Sequence, residues 1–418
     1  MTEMDKPKIL FISHVFPFPR SSGQRQRVYY MLRAAAAYFH VTLLTYSPSG
    51  KEKKLEYELD GICEEVIWLK NRFDEHKKIS KAYYKLRASL YSFLTGLKTS
   101  NYYIGKLEFT EKRIIVALGD RTFDIVIYEY FHAWESVSYF KKRNIPVILD
   151  THNILWQSVS SQSKGNNVLQ NLLKGYKLNK YKKVEEAIWA MFDEVIAINV
   201  SEQKYIQSKV PATVKVPLVC MGIDVSAWPY SWQSARPVRL AYYGGLGSPN
   251  NVKSALVCAC EIMPEIWKKF PGVELWLIGS SPAEAIKKLE SDKIHVTGFI
   301  EDVAPVIGSV SIMLCPWEGT FGFRSRIVEV MALGVPVVAS RNAVDGMDME
   351  DGKGIFLTDN TEQMIEQSTR LLQDKPLLEI QSKIARDKAI SQYSFEATYL
   401  KGFERIYDSI EHRKVVKP

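Results

Sequence analysis

The sequence has few cysteines and lacks a long apolar run. Its 418 residues include five cysteines, an odd number, without the paired spacing of a zinc site or a disulfide framework. We expect them to be buried thiols in a reducing cytosol. No uninterrupted run reaches the roughly 18 apolar residues of a spanning helix. The polar residues 1–8 do not resemble the basic head of a signal peptide.

The remaining composition is that of a globular protein, with 46% hydrophobic and 24% charged residues. A chain of 418 residues is too long for one core, which predicts two domains of roughly 150–200 residues each. The net charge of +8 favours acidic partners such as nucleotide phosphates, anionic lipid or nucleic acid. Composition alone does not distinguish among these three kinds of partner.

Short apolar runs alternate with segments of helical period along the whole chain, which is typical of parallel βαβ units. The strands predicted in this way are 8–13, 41–45, 65–69, 124–128, 146–150, 194–198, 238–243, 274–278, 294–297, 312–315, 335–339 and 354–357. Helices are expected at 27–39 and 252–269. The join lies near 217–237, where glycine and prolines interrupt both patterns. This series predicts an α/β protein of two Rossmann-like, doubly wound domains facing a cleft.

The last part of the chain, 361–413, has the pattern of successive helices with a break at Tyr393, Ser394 and Phe395. Ser394 is a suitable N-cap for the helix that follows, and Glu396 in its first turn suits the helix dipole.

The most informative stretch is Gly322–Ser340, GFRSRIVEVMALGVPVVAS. It predicts a glycine turn, a helix over about Ser325–Leu333 and a buried strand. The start of a helix attracts phosphate, and Arg324 and Arg326 at that start can each fork two hydrogen bonds onto a diphosphate. Glu329, one turn later, can accept both ribose hydroxyls. The alternative is an exposed, salt-bridged helix start.

This stretch resembles the donor-binding motif of retaining glycosyltransferases of the GT-B fold, family 4. It is most similar to a bacterial, cell-surface glycan branch whose motif runs Gly-x-Arg-x-Lys, two aliphatics, then Glu-x-Met-Ala-x-Gly-x-Pro-Val. Further segments resemble the family in the same order along the chain, except in about residues 50–120. They are the opening 8–45 with its Pro17, Pro19, Gly23 and Arg27, LDTHN at 149–153, YGGLGSPN at 243–250, and the segments 274–279, 296–300 and 345–352.

The resemblance implies a role for each domain and for individual residues. Residues 1–217 would form an acceptor-binding domain and 218–390 a nucleotide-sugar-binding domain, with a helix at 391–418 that packs back on the first. Glu329 is similar to the glutamate that binds the ribose, and Arg324 and Arg326 to the pair that neutralises the diphosphate. The remaining residues of the implied site are Ile327, the backbone of Phe299 and Ile300 at the base, the loop glycines Gly23 and Gly245, and His152 at the donor sugar.

Two departures from the family pattern affect the donor site. Phe321 stands where many members have a first glutamate, although Glu318 lies close enough to replace it. The loop that opens the donor domain has no positive residue before Lys253, so that Arg324 and Arg326 would take over phosphate binding.

These residues predict how transfer occurs. Arginines and a helix N-terminus can stabilise the leaving diphosphate without a metal, and we find no Asp-x-Asp at a strand end. We expect no metal and no cofactor, since the nucleotide sugar is itself a substrate. The resemblance implies retention, with the leaving phosphate helping to deprotonate the acceptor hydroxyl.

The acceptor side is less informative. Residues 76–113 mix lysines with aromatic and aliphatic residues, and 164–183 form a second basic stretch. Such a helix can lie on an anionic bilayer, and if it does, a polyprenyl-linked glycan is the natural acceptor. The alternative is a helix packed on its domain with solvated lysines. The expected location is cytoplasmic, with the inner face of the membrane as a peripheral site.

Two other classes remain open. A nucleotide-sugar epimerase of the same fold would convert the donor alone, and a non-catalytic sugar-nucleotide-binding protein would bind it without turnover. A nucleic-acid binder is disfavoured, since the positive charge is spread out and no nucleic-acid-reading motif occurs.

Overall fold

The computed structural model describes residues 6–20, 22–46, 51–69, 86, 89–90, 107–161, 168–319 and 323–416. The chain forms two compact units. The first consists of Met1–Cys220 and Tyr399–Pro418, and the second of Met221–Thr398. The boundaries predicted from the sequence were 217/218 and 390/391, and the units divide at 220/221 and 398/399.

The first unit contains a six-stranded parallel sheet in the order β3-β2-β1-β4-β5-β6. Its strands are β1 (Lys8–Ser13), β2 (His40–Tyr46), β3 (Glu65–Leu69), β4 (Ile125–Glu129), β5 (Val147–Asp150) and β6 (Glu194–Ile196). The central strands β1, β4 and β5 are buried almost throughout, because helices cover both faces of such a sheet.

Helices connect these strands, as expected for parallel neighbours. They are α1 (Gly23–Tyr38), α2 (Glu111–Leu118), α3 (Val137–Lys141), α4 (Leu155–Ser161), α5 (Val168–Trp189) and α6 (Val200–Gln207), with 3-10 helices at Glu52–Leu59 and Phe131–Ser136. Ser22 begins α1, since its side chain accepts a hydrogen bond from the backbone N–H of Arg25. The last helix of the chain, α14 (Lys401–Val416), also belongs to this unit.

The second unit repeats the topology with strand order β12-β11-β10-β7-β8-β9. Its strands are β7 (Arg239–Tyr243), β8 (Glu274–Ile278), β9 (Ile294–Val296), β10 (Ile312–Cys315), β11 (Val337–Ser340) and β12 (Ile355–Thr358). Its helices are α7 (Pro249–Val257), α8 (Met263–Lys269), α9 (Glu284–Lys287), α10 (Ala304–Gly308), α11 (Ser325–Ala332), α12 (Thr361–Gln373) and α13 (Lys375–Tyr393).

Both sheets have the doubly wound order in which the first and fourth strands are neighbours. The direction of winding reverses between β1 and β4 in the first unit and between β7 and β10 in the second. Ligands of such sheets bind beyond the carboxyl ends of the strands at this reversal. The predicted fold class is therefore confirmed, and each sheet has a defined place to search for a site.

One helix differs from its prediction. The single helix expected at 252–269 is divided by a π-helical turn at Cys258–Ile262. Pro264 follows directly in the first turn of α8. Because proline has no N–H and its ring crowds the carbonyl four residues earlier, the preceding turn widens.

The break predicted at Ser394 is confirmed. Helix α13 ends at Tyr393, and the Ser394 side chain accepts a hydrogen bond from the backbone N–H of Ala397 at 3.1 Å. Most of the basic segment predicted at 76–113 lies outside the described residues, as do Lys164, Phe321 and Gly322. Among the described helices, none is both long and apolar enough to cross a membrane.

Two glycines near β12 provide a stability prediction. Gly354 and Gly352 both have a left-handed backbone, with φ of 76° and 77°. A Cβ at Gly354 would lie 2.4 Å from the Cα of Ala385 on α13, whereas one at Gly352 meets nothing within 4 Å. We expect Gly354→Ala to lower the free energy of unfolding by about 2–5 kcal/mol, from backbone strain and overpacking together.

Gly352→Ala is the matched control, because it adds the strain without the collision and should cost only about 1–2 kcal/mol. Urea unfolding followed by circular dichroism measures both variants. An equal loss in the two would contradict the packing argument.

Candidate functional site

Helix α11 presents its first turn at the edge of the second sheet. One side of the helix is buried in the unit through Ile327, Val328, Val330 and Met331. Arg324 occupies the N-cap position without a capping hydrogen bond from its side chain, and the first turn contains no acidic residue. The backbone N–H groups of that turn and the helix dipole therefore favour an anion from outside the helix.

Arg326 is exposed in this first turn. Its guanidinium carbon lies 5.2 Å from the centre of the Tyr243 ring, and the Tyr243 hydroxyl shares a hydrogen bond with it. Within the described part of the chain, no carboxylate lies at salt-bridge distance from Arg326. The side chain is thus held by an aromatic ring and keeps its charge for a ligand.

Glu329 lies one turn after Arg326 and is 8% exposed. Burial raises the pKa of its carboxyl, while the charge of Arg326 and a hydrogen bond from Ser325 act in the opposite direction. A buried carboxyl beside a cationic helix start is suited to accept hydrogen bonds from ligand hydroxyls.

Arg324 has different surroundings from Arg326. Its Nη1 donates to the carbonyl oxygens of Asn342 (3.2 Å) and Ala343 (2.9 Å), and its Nη2 to that of Gly319 (2.8 Å). The guanidinium also lies 4.4 Å from the Trp317 ring centre. Burial lowers the pKa of Arg324 to about 10. Arg324 therefore joins two loops, and its predicted role at phosphate stays a prediction.

The other predicted donor residues are spread around this edge. Ile327 is buried, and its backbone N–H donates to the carbonyl of Arg324, so its side chain belongs to the core. Phe299 is 78% exposed after β9, and Ile300 is half-buried beside it. The carbonyl of Gly245 accepts a hydrogen bond from Asn251.

Two backbone segments of the second unit approach each other closely at Gly279, while the predicted place of Gly245 beside the ligand stays a prediction. A Cβ at Gly279 would lie 1.7 Å from the Gly244 carbonyl oxygen, whereas one at Gly245 has 3.8 Å to its nearest neighbour. Gly279 thus allows the ends of β7 and β8 to meet. Gly23, the remaining predicted glycine, is the first residue of α1 in the first unit.

Sequence reasoning missed Tyr243 and Trp317, which support the two arginines. Their positions in the sequence could have indicated them. Tyr243 ends β7 and Trp317 follows β10, the two strands between which the winding of the sheet reverses. Glu318, a candidate to replace the missing glutamate, forms an exposed ion pair with Lys253 at 2.5 Å.

His152 lies in the first unit, just after β5. Its Nε2 is hydrogen-bonded to Glu129 and lies 3.4 Å from an oxygen of Asp150. Burial lowers the pKa of His152 to about 3, with Asp150 acting in the opposite direction. The histidine is therefore neutral and part of a buried polar cluster.

Arg27 forms the other half of this cluster. Its Nε and Nη2 each donate to a carboxylate oxygen of Asp150 at 2.6 Å, and its Nη1 donates to the carbonyl of Val219 at 3.0 Å. Arg27 and Asp150 are 1% and 0% exposed, so each charge is neutralised inside the protein.

Glu129, Asp150 and His152 are also the one group of described residues whose ligand atoms lie close enough together to hold a metal ion. Asp150 already uses both oxygens for Arg27. A cation beside that guanidinium would meet like charge at short range. The cluster thus does not suit a metal.

Comparison with known proteins agrees with the geometry of the second unit. Residues 237–374 match the family model described as Glycosyl transferases group 1. The chain contains a glycosyl transferases group 1 domain. The matched residues include β7 to β12 and the whole candidate site around α11. No curated protein sequence matches the chain.

Solved structures resemble the chain over nearly its whole length. Sucrose-phosphate synthase (tll1590) from Thermosynechococcus elongatus has a TM-score of 0.65 at 16% identity, over 98% of this chain and 100% of that one. A glycosyltransferase from Rickettsia africae ESF-5 gives 0.64 at 15%, over 97% and 99%. Anabaena Alr3699/HepE, solved with UDP and glucose, gives 0.58 at 16%, over 97% and 99%. At these identities the likeness shows the fold, which is that of GT-B glycosyltransferases.

Proposed function

We propose that this protein is a glycosyltransferase that takes its sugar from a nucleoside-diphosphate donor bound by the second unit. The observation that carries the proposal is the first turn of α11, where exposed Arg326 and buried Glu329 lie on one side of a helix start supported by Tyr243. This arrangement lies within the glycosyl transferases group 1 domain. It offers positive charge for a diphosphate and a carboxyl for the ribose.

A uridine diphosphate sugar is the first donor to test. Anabaena Alr3699/HepE, which has the same fold, was solved with UDP and with UDP-glucose. Phe299 is exposed and follows β9, the strand next to β8 in the sheet. An aromatic ring at this position can stack on a nucleotide base.

The chemistry follows family 4 in our proposal and retains the anomeric configuration. The bond between the anomeric carbon and the β-phosphate oxygen breaks, and negative charge develops on the diphosphate. Arg326 and the N–H groups of α11 stabilise that charge. The acceptor oxygen bonds to the anomeric carbon on the same face, and its proton passes to the leaving phosphate. No step requires a metal, since fixed cations supply the charge.

The first unit would select the acceptor, which we propose to be a glycan or a polyprenyl-linked glycan. A polyprenyl-linked acceptor agrees with the proposed location at the cytoplasmic face of a membrane. His152, at the carboxyl end of β5, would contact the donor sugar. All lysines of segment 76–113 except Lys112 lie outside the described residues, so the membrane part of this proposal rests on their sequence pattern.

A donor panel tests the proposal directly. We expect one donor among UDP-, GDP-, ADP- and TDP-sugars to bind and to be hydrolysed slowly in the presence of EDTA. Glu329→Ala should weaken that binding, because a site built to bond hydroxyls loses its acceptor. Calorimetry measures binding, and chromatography of the products measures hydrolysis.

The other outcomes separate the alternatives. Release of an altered nucleotide sugar in the absence of an acceptor would indicate an epimerase. Tight donor binding without turnover, even in the presence of acceptors, would indicate a non-catalytic binding protein. No binding of any donor would overturn the central proposal.

A further inference from the structure

The buried cluster of the first unit contains a carboxyl that the proposed reaction leaves without a role. Glu129 ends β4 and is the register partner of Asp150 at the end of β5. They are 1% and 0% exposed. Both face His152, since Nε2 of that ring is hydrogen-bonded to Oε2 of Glu129 and lies 3.4 Å from Oδ2 of Asp150.

The charges of the cluster are unequal. Arg27 neutralises Asp150 through two hydrogen bonds of 2.6 Å. Among the described residues, the one basic side chain at salt-bridge distance from Glu129 is His152, which is neutral. A second ionised carboxylate beside Asp150 would leave a net negative charge out of water, which strongly disfavours ionisation. Consistently, burial and then the charge of Asp150 raise the pKa of Glu129; the charge of Arg27 acts against them, and a hydrogen bond with Asp150 acts with them.

The aromatic groups around the pair supply no compensating charge. Tyr130 stacks on His152 with ring centres 4.1 Å apart, and His14 and His132 pack against Tyr130. Burial lowers the pKa of His14 to about 3 and also lowers that of His132. At neutral pH these imidazoles are uncharged, so none of them adds a positive charge beside Glu129. The cation of the cluster is Arg27, which is hydrogen-bonded to Asp150.

The backbone fixes this geometry. Tyr130 and His152 have positive φ angles of 67° and 56°. Left-handed backbone at such residues costs free energy and persists where the surroundings determine it, often at functional sites. The ring of His152 is thus held between a carboxyl and a stacked aromatic ring.

We propose that Glu129 is a positioning residue for His152: its carboxyl keeps a proton in the hydrogen bond to Nε2, so that Nδ1 carries a hydrogen and donates it to a hydroxyl of the donor sugar. The sugar contact rests on the proposed function. With Glu129 protonated, one proton lies between Oε2 and Nε2 and a second on Nδ1. Loss of one proton leaves Nε2–H donating to the carboxylate, and Nδ1 becomes an acceptor.

Two substitutions of Glu129 separate this role from packing. In Glu129→Gln the amide N–H replaces the acid proton, so kcat/KM near neutral pH should stay close to wild type and the alkaline decline caused by Glu129 should disappear. Glu129→Leu removes the partner, and kcat/KM should fall about 10–100-fold, the loss typical when a hydrogen-bond partner that orients a metal-binding histidine is removed. Glu185→Gln, at a buried glutamate in the same unit, is the control and should keep the wild-type pH profile.

If Glu129→Gln lost as much activity as Glu129→Leu while remaining folded, an ionised carboxylate would be required and the proposal would be wrong. A wild-type profile in Glu129→Leu would likewise overturn it.

The tautomer can be measured without turnover. In ¹⁵N-histidine-labelled protein, with His152→Gln to assign the signal, we expect Nδ1–H in the wild type and in Glu129→Gln. Glu129→Leu should shift the population towards Nε2–H. A bare Nδ1 in the wild type at neutral pH would overturn the assignment. The expected tautomer in a protein that turns over no donor would instead contradict the proposed function alone.

Discussion

Replacing Arg326 by alanine should lower kcat/KM for the donor by about 10²–10³-fold, the effect of removing one preorganised group that stabilises charge in the transition state. Arg326 is exposed at the start of α11 and is held against Tyr243, whereas no described carboxylate pairs with it. Its charge is therefore available to the leaving diphosphate. Steady-state kinetics with the donor identified in the panel measures the change.

Three further variants locate the effect. Arg326→Lys keeps the charge but loses the two-pronged donor, so it should recover part of the activity. Arg341→Ala removes an exposed arginine of the same unit that pairs with Asp359, and it should leave kcat/KM unchanged. Arg324→Ala should lower thermal stability, because three backbone carbonyls lose their donor. Wild-type kcat/KM in Arg326→Ala would contradict the assignment.

Strand positions could be predicted closely from the sequence. The strands of both sheets are short, buried and rich in β-branched residues, and the predicted limits of β1, β3, β8 and β10 match the structure. Such strands pack on both faces, so their apolar runs are continuous and end sharply at turn residues. The divided helix at 252–269 was missed because a π-helical turn depends on the local effect of Pro264 rather than on apolar period.

The site was harder to predict than the fold. Arg324 and Arg326 are two residues apart and chemically identical, so the sequence assigned them one role. Their different surroundings come from Gly319, Asn342 and Ala343, which tertiary structure brings to Arg324. Spacing within one helix start contains no information about those contacts.

The pairing of Glu129 with His152 shows a similar limit. The two residues are 23 positions apart in the chain and meet because β4 and β5 are adjacent and in register. The strand ends were predicted within a residue or so, but neither the adjacency of the strands nor the burial of the carboxyl follows from local pattern. Buried polar clusters therefore emerge only once the sheet order is known.

Arg27→Met should lower the free energy of unfolding by about 3–5 kcal/mol, the cost of leaving a buried charge without its partner. Burial, the largest influence, would raise the pKa of Asp150, but the charge of Arg27, the neighbouring His152 and hydrogen bonds from Arg27 and Glu129 together lower it. The stabilisation is thus present above the pKa of an unfolded aspartate and is lost as the pH falls through the lower folded-state value. Urea unfolding at several pH values measures both effects.

A double-mutant cycle separates the pair from its surroundings. Arg27→Met with Asp150→Leu removes both charges, so the double variant should be more stable than the sum of the two single losses predicts. Arg121→Met is the surface control, because the Arg121–Glu65 pair is 44% and 40% exposed and such pairs contribute about 0–1 kcal/mol. Additive losses at Arg27 and Asp150 would mean that the two residues stabilise the unit independently. The stability of the unit would then come from their separate contacts, such as the hydrogen bond from Arg27 to the carbonyl of Val219, rather than from the ion pair.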